Sequence, residues 1–272
     1  MNKNKENFGD HLLHDYSTRG WVALPFSDDL FSWVNGVKAS VNQKLQLMCE
    51  EEKDVRCGGT WFPGVNFLDN DPHGNIDGSI FPSDLTDLKK KLEPAFSGFY
   101  DRAQISICYP GYPKKMDDET VSAFNYRKNR FAAHLDGLLP IGQHRRRFLM
   151  EHHAFIYGIP INLTGEGSSP CVVWEGSHKV VQNEFKSFLT FRKIHSLQDQ
   201  DVTEFYSSIR KKIFASCRMK KIWLPVGQSY LIHRLTLHGI LPWVRDAKNT
   251  NVNRTVAYFR PHLIGGHETW LD

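Results

Sequence analysis

The stretch FAAHLDGLL, residues 131–139, places the imidazole of His134 and the carboxylate of Asp136 two positions apart in an apolar setting. Taking a carboxylate out of water is costly unless it is paired or binds a metal ion. On a strand, residues two apart project to the same face. Both side chains are therefore predicted to point into the space that a sheet encloses, where they could share one metal ion.

The rest of the chain after about residue 103 supports a β structure around this stretch. Short runs rich in β-branched and aromatic residues, divided by Gly and Pro, are typical of strands. The runs are AQISICY (103–109), VSAFNY (121–126), RFAAHLD (130–136), HAFIYGIPI (153–161), CVVW (171–174), KKIWLPV (220–226), SYLIHRL (229–235) and RTVAYFR (254–260). They predict a mainly β fold with flanking helices, whose core is a double-stranded β-helix, or jelly roll, of the cupin-like kind.

Helical periodicity is confined to the first third of the chain and to one insert. Apolar spacings of three and four after a capping Ser27 predict a helix over about 28–51, and a second helix begins at Ser83. The chain offers no linker. We therefore expect one domain over 1–272, with a helical part at about 1–102, a β core at about 103–261 and a helical insert at about 182–215.

Composition excludes several functional classes. The 272 residues are 40% apolar and 24% charged, as in an ordinary globular protein, and the net charge of +4 is too mild to indicate nucleic acid. No stretch of about 18 apolar residues indicates a membrane span. Five scattered cysteines indicate reduced thiols and a cytoplasmic location. Oligomeric state stays open, and the expected partner is a small-molecule substrate.

A third metal ligand is available about a hundred residues after the first two. The segment LIHRLTLHGILPW, residues 231–243, offers His233 and His238. Two histidines and one carboxylate on one face of a metal leave open positions, which is the ligand set of non-haem iron(II) oxygenases.

A cation for a cosubstrate follows in NRTVAYFRP, residues 253–261. In oxygenases of this type 2-oxoglutarate chelates iron through its keto acid end, and its far carboxylate needs a fixed cationic fork. Arg254 heads a predicted strand and is the first candidate. Arg260 shares its face by parity and is the substitute.

Four segments together resemble the phytanoyl-CoA dioxygenase-like family of iron(II)/2-oxoglutarate oxygenases over about 121–261. They are HLDG (134–137), PCVVWEGSH (170–178), GQSYLIHRLTLHG (227–239) and RTVAYFRP (254–261). The opening TRGWVALPF (18–26) is similar as well. The resemblance implies that His134, Asp136 and His238 hold Fe(II), that His233 lies close by, and that 2-oxoglutarate and O2 are cosubstrates.

The chain departs from this family in two places. Ile240 stands where the family often has Ser, and VRDAKNTNVN (244–253) lengthens the loop before Arg254. Asp136 excludes the halogenating variants, which lack the carboxylate.

Four further residues have both a functional and a structural interpretation. Asn125, nine residues before His134, is a candidate cosubstrate contact on the adjoining strand, and His153 is a candidate contact to cosubstrate or substrate. His178 is expected near the metal mouth. For each of these, and for His233, the alternative is ordinary packing or hydrogen bonding, and for Arg254 it is a surface ion pair.

The segment GLLPIGQHRRRFLMEH, residues 137–152, is predicted to form a mobile loop at the mouth of the site. Its three arginines either attract an anionic substrate or form a solvated basic loop. Trp61, Phe62 and Phe67 either cover the same mouth or pack in the core.

The pattern as a whole predicts a 2-oxoglutarate-dependent dioxygenase that hydroxylates or otherwise oxidises a C–H bond of a small polar metabolite, releasing succinate and CO2. One alternative is a non-oxidative cupin-like metal protein, an isomerase or a binding module, which has no need of Arg254. Another is a structural β-protein whose histidines merely pack, which binds no metal.

Overall fold

The computed structural model describes residues 3–49, 52–244 and 252–272. Its strands are β1 Trp21–Leu24, β2 Trp61–Phe62, β3 Gln104–Cys108, β4 Leu138–Ile141, β5 Arg146–Leu149, β6 Phe155–Pro160, β7 Cys171–Trp174, β8 Met219–Ile222, β9 Ser229–His233, β10 His238–Ile240 and β11 Arg254–Phe259. Its helices are α1 Lys3–Arg19, α2 Asp28–Leu47, α3 Ser83–Leu92, α4 Val121–Asn129, α5 Ser177–Arg192 and α6 Thr203–Ser216.

Two antiparallel sheets form the β core. The large sheet has the order β1-β9-β6-β11-β3-β2, and the small sheet has the order β10-β7-β8. Ile156 and Tyr230 of the large sheet pack with Val173 and Ile222 of the small sheet in one apolar cluster. The predicted fold class, a β jelly-roll core with flanking helices, is confirmed.

Helix α2 and the segments after it bury the other face of the large sheet. Ser27 caps the helix, since its Oγ accepts a hydrogen bond from the Leu30 amide at 3.2 Å. Trp33 of α2 contacts the rings of Phe81 and Phe259. Fully burying such side chains stabilises a fold by about 1.5–3 kcal/mol each. The predicted helix ends at Leu47, and residues 50 and 51 lie outside the described residues.

The run at 121–126 was wrongly predicted as a strand and is the start of helix α4. Thr120 caps this helix by accepting from the Ala123 amide at 3.2 Å. The apolar side chains of Val121 and Tyr126 are exposed, so no sheet face is available to hold the run extended. Asn125 is therefore an exposed residue of a helix and does not lie on a strand beside His134.

Residues 137–152 form a β-hairpin rather than the predicted mobile loop. Strands β4 and β5 pair with Leu138 opposite Leu149, and both of these leucines are buried. The buried pair holds the hairpin against the core, with Pro140 inside strand β4 and Gly142 in the turn.

The remaining differences concern the start of the chain and the insert. The part at 1–102 is not only helical, because β1 adds to the large sheet with Trp21 opposite Ile232. The insert contains two helices and begins at Ser177, earlier than predicted. Among the helices of the described part, none combines the length and apolar character that a membrane span requires.

Candidate metal centre

A single backbone bridge brings His134 and His238 together. The His134 amide donates to the His238 carbonyl at 2.8 Å, and the His238 amide donates back at 3.1 Å. The run 130–136 is thus not a strand, as was predicted, but one bridging residue in an irregular segment. The two imidazole centroids lie 4.5 Å apart, so residues far apart in sequence present their rings side by side.

Two glycines permit this close approach. A Cβ at Gly239 would lie 2.3 Å from the Phe131 carbonyl oxygen and 3.2 Å from the Ala133 Cα. Gly137 has φ +88°, and a Cβ there would lie 2.5 Å from the Glu151 carbonyl oxygen. The glycines that follow Asp136 and His238 are therefore part of the site. A side chain at either position would displace the neighbouring backbone segment.

The acidic side chain completes a group of three convergent ligand atoms. Asp136 Oδ1 lies 3.2 Å from His134 Nε2 and 3.5 Å from His238 Nε2. All three atoms lie within 4.8 Å of one another. The side chains of Asp136 and His238 are 10% and 8% exposed, whereas that of His134 is 45% exposed. The group is therefore buried on one side and open on the other.

Both histidines are oriented by backbone carbonyls. His134 Nδ1 lies 2.9 Å from the Ala132 oxygen, and His238 Nδ1 lies 3.0 Å from the Thr236 oxygen. A carbonyl only accepts, so each Nδ1 carries the proton and each Nε2 presents a lone pair, the form a metal requires. Burial, together with the nearby His134, lowers the pKa of His238 and favours its neutral form.

Arg260 holds the other oxygen of the carboxylate. Its Nε lies 2.5 Å from Asp136 Oδ2, and its Nη1 donates to Gln104. Burial alone would raise the pKa of Asp136, but the Arg260 guanidinium and the two imidazoles hold it well below its usual value. The carboxylate is therefore ionised, with Oδ2 occupied by Arg260 and Oδ1 turned to the histidines.

The two insert helices support the ligand segments. The Leu135 amide donates to the hydroxyl of Tyr206 on α6 at 2.9 Å. The Leu237 amide donates to the hydroxyl of Ser177 on α5, also at 2.9 Å. These partners satisfy buried N–H groups next to ligand residues and so fix their position.

A cavity of about 600 Å³ opens on the exposed side of the group, and His134, Asp136, His153 and Trp61 contribute to its lining. His153 Nδ1 donates to the Arg260 carbonyl at 3.1 Å, and its Nε2 lies 3.1 Å from a carboxylate oxygen of Glu151. His153 therefore lies on the cavity wall. Phe62 and Phe67, by contrast, are buried in the core.

Arg254 lies inside the jelly roll rather than on a solvated surface. It is 6% exposed, and its Nη2 donates to the Tyr258 hydroxyl at 3.0 Å. Its Nη1 is buried and has no hydrogen-bond partner among the described residues. Burial raises the pKa of the neighbouring Cys171 thiol to about 11, with Arg254 acting to lower it and Asp136 to raise it. Cys171 thus lies close enough to Arg254 and Asp136 for both charges to affect the pKa of its thiol.

His178 and His233 do not join the three ligands. His178 Nε2 donates to the Ser17 carbonyl at 3.0 Å, and its ring lies 5.1 Å from that of His233. Neither residue lines the cavity, and Asn125 does not line it either. The packing interpretation holds for the two histidines, and the expectation that His178 lies at the metal mouth is wrong.

Sequence reasoning missed the supports of the site. Gly239 and Tyr206 carry no signal by themselves, although a glycine directly after a ligand histidine could have indicated a close backbone approach. Arg260 was considered only as a partner for 2-oxoglutarate, and its ion pair with Asp136 was not foreseen.

Solved structures share this fold at low sequence identity. The non-heme alpha ketoglutarate dependent carbocyclase SnoK from nogalamycin biosynthesis is 12% identical, with 94% of this chain and 85% of that chain covered at a TM-score of 0.54. The epimerase SnoN, in complex with Fe3+, alpha ketoglutarate and nogalamycin RO, is 12% identical over 94% and 84%, at 0.50. EctD from S. alaskensis with bound Fe is 12% identical over 94% and 77%, at 0.53.

No family model and no curated protein sequence matches the chain. Likeness at 12% identity establishes the architecture these proteins share, and function has to be argued from the side chains.

Proposed function

We propose that the protein is an iron(II)- and 2-oxoglutarate-dependent dioxygenase. The observation that carries the proposal is the convergence of His134 Nε2, His238 Nε2 and Asp136 Oδ1 within 4.8 Å of one another. Two imidazoles and one carboxylate on one face of an ion leave the opposite positions open. The fold of SnoK, SnoN and EctD, which the chain shares, supports the same class.

The residues present fit an iron(II) ion. Both Nδ1 protons are already committed to carbonyls, so no rearrangement is needed to present the two Nε2 lone pairs. Asp136 would bind through Oδ1, since Arg260 holds Oδ2. The half-exposed His134 leaves the open side of the ion toward the cavity.

The residues also fit 2-oxoglutarate. A buried guanidinium nitrogen without a partner is costly, and a carboxylate is its natural counterpart. Nη1 of Arg254 is such an atom, so Arg254 is proposed to hold the far carboxylate. Arg260 is less suited because Asp136 and Gln104 already occupy its donors. His153 is proposed as a further contact on the cavity wall, whereas Asn125 lies on an exposed helix.

Bound iron and 2-oxoglutarate together supply, from O2, the oxidising power to hydroxylate a C–H bond, with release of succinate and CO2. The protein positions the bond and excludes water. Buried Asp136 and His238 keep one side of the site dry, and the cavity admits a small polar metabolite. We place the chain in the phytanoyl-CoA dioxygenase-like branch on the four segments that resemble that family.

A non-oxidative isomerase or binding module with the same ligands is the second candidate. It gives Arg254 nothing to bind, and the unpartnered Nη1 of that residue therefore favours the oxygenase. The names of SnoK and SnoN, a carbocyclase and an epimerase, are both qualified as alpha ketoglutarate dependent.

An anaerobic titration tests the proposal. Adding Fe(II) and then 2-oxoglutarate should produce the weak visible charge-transfer band of the chelate at one equivalent. Arg254→Gln should weaken 2-oxoglutarate binding by about 30-fold or more, because one partner of a buried charge pair is lost. The exposed Arg146→Gln is the matched control and should bind as the wild type. Absence of the band in the wild type would overturn the proposal.

A further inference from the structure

The cavity beside the ligand group is strongly basic. Eight arginines and three carboxylates contribute to its lining. Four of these arginines are paired with carboxylates in the described part of the chain, namely Arg56, Arg102, Arg127 and Arg260. Their charge is thus already compensated.

The other four arginines form no ion pair with a carboxylate within the described ranges. Two of them rest on an aromatic ring, with Arg130 at 4.6 Å and Arg210 at 5.7 Å from the centroid of Phe214. The remaining two, Arg145 and Arg147, belong to the hairpin that forms the opposite part of the wall. Uncompensated positive charge is therefore concentrated where α4, α6 and the hairpin meet.

The Arg147 guanidinium is repelled by two of the other guanidinium groups. Burial lowers the pKa of Arg147, and the positive charges of Arg145 and Arg210 lower it further. Nε of Arg210 is buried and has no partner among the described residues. The guanidinium of Arg147 donates, among the described residues, to the Leu138 carbonyl alone, at 2.8 Å. Like charges that line one cavity, with donors unused, are stabilised by a bound anion.

Arg146, between the two hairpin arginines, shows the contrast. Arg145 of the turn and Arg147 of strand β5 line the cavity, whereas Arg146 between them does not. It pairs with Asp201 at 2.5 Å and with Glu204 through both terminal nitrogens. The chain thus compensates the arginine outside the cavity with two acids and leaves its two neighbours without any.

We propose that Arg145, Arg147 and Arg210 bind a phosphoryl group of the substrate, and that the enzyme oxidises a small phosphorylated metabolite. This inference rests on the proposed function and names its substrate class. A phosphate monoester carries a charge of about −1.5 to −2 and three acceptor oxygens, whereas a carboxylate carries one charge and two oxygens. Three guanidinium groups that line one cavity match the phosphoryl group better.

The arginines lie one side chain away from the ligand group. The Arg210 guanidinium lies 5.6 Å from the centroid of the Tyr206 ring, and burial raises the pKa of the Tyr206 hydroxyl. The same hydroxyl accepts from the amide of Leu135, between the two ligands of the HLD segment. A phosphoryl group at the arginines therefore places the carbons adjacent to it near the open side of the ion.

Calorimetric titration of inorganic phosphate tests the inference. The protein is first loaded anaerobically with Fe(II) and saturating 2-oxoglutarate, so that the cosubstrate site is filled. Arg145→Gln and Arg210→Gln should each weaken phosphate binding by about tenfold or more, as expected for losing a charged hydrogen bond. Arg146→Gln removes the same charge from the same hairpin and should change the affinity by less than about twofold.

The outcomes separate this inference from the proposed function. If the iron chelate band forms and phosphate does not bind, or if acetate binds as tightly, the phosphoryl site is wrong and the oxygenase stands. If Arg146→Gln weakens phosphate binding as much as Arg145→Gln does, phosphate is attracted only by the net positive charge of the hairpin. The proposed phosphoryl site would then be wrong. If the band never forms, the function itself fails. Arg145 is exposed in a turn, so its variant remains decisive even if Arg210→Gln fails to fold.

Discussion

The described residues include several histidines whose rings lie close together, and the two closest pairs differ in whether they could hold a metal ion. His134 and His238 have ring centroids 4.5 Å apart, and His178 and His233 have theirs 5.1 Å apart. In the first pair both Nε2 atoms face a carboxylate oxygen of Asp136. In the second pair no carboxylate of the described residues pairs with either ring.

The nitrogen atoms of the two pairs are used differently. His178 donates a hydrogen bond through Nε2 to the Ser17 carbonyl. His233 accepts a hydrogen bond at Nδ1 from the Leu235 amide. Burial and the neighbouring charge of Arg234 lower the pKa of His233 well below its usual value. Proximity of imidazoles is thus not enough, because a site needs free lone pairs aimed at one point and a negative charge beside them.

The largest effect is expected from removing that negative charge. Asp136→Ala should weaken Co(II) or Fe(II) binding by more than about 100-fold, because even outer-shell losses cost 10- to 100-fold. His233→Gln, the control from the second pair, should leave the metal affinity unchanged. Metal titration followed by absorbance checks both. Wild-type affinity in Asp136→Ala would mean that the ion does not bind at this group.

A methyl group at Gly239 should separate the first pair. The added Cβ meets the backbone at Phe131 and Ala133, so Gly239→Ala is expected to destabilise the fold by about 1–3 kcal/mol and to weaken metal binding. Gly36→Ala on helix α2 is the control away from both pairs, where a Cβ would meet the hydroxyl of Ser79. It should lower stability in urea unfolding and leave the metal affinity intact. Equal metal affinity in both variants would contradict the account.

Two tyrosines sharpen the same contrast. Tyr206→Phe leaves the buried Leu135 amide without its acceptor, so the free energy of unfolding should fall by about 1–3 kcal/mol. Tyr16, against the second pair, has a buried hydroxyl without a partner among the described residues. Tyr16→Phe should therefore be neutral or stabilising. Denaturant unfolding of both variants measures these changes. A larger loss of unfolding free energy in Tyr16→Phe than in Tyr206→Phe would contradict the prediction.

The smallest effect concerns pH. Burial lowers the pKa of both His178 and His233 in the folded state, so the unfolded chain binds more protons as the pH falls through about 6.5. Stability is then present above that pH and lost below it, by up to about 1.4 kcal/mol per pH unit for each group. The double variant His178→Gln, His233→Gln should show a flatter decline between about pH 6.5 and 5. An unchanged slope would show that these rings titrate freely.

Sequence patterns predicted the sheets better than the segments between them. Runs with β-branched and aromatic residues became strands at β3, β6, β7, β9 and β11, where both faces are largely buried. The run at β8 became a strand through its pairing with β7, since only Ile222 of β8 is buried. The run at 121–126 has the same composition, but its side chains are not buried against a sheet. It forms a helix that Thr120 caps. Local pattern cannot tell whether a partner surface exists.

The convergence of the three candidate ligands was predictable, whereas the residues that support it were not. His134 and Asp136 converge as the parity argument requires, although their segment is a bridge and a turn and not a strand. That convergence depends on Gly239 and on hydrogen bonds to helices that follow later in the sequence, such as the one from the Leu135 amide to Tyr206 of α6. Likewise, the burial of Arg254 and the pairing of Arg260 with Asp136 are set by tertiary packing, which sequence parity does not encode.

The most direct test is anomalous diffraction from crystals soaked with Mn(II) and 2-oxoglutarate. The account predicts one metal peak between Nε2 of His134, Nε2 of His238 and Oδ1 of Asp136, with the keto acid on its open side and the far carboxylate on Nη1 of Arg254. A peak between His178 and His233, or no peak beside Asp136, would contradict it.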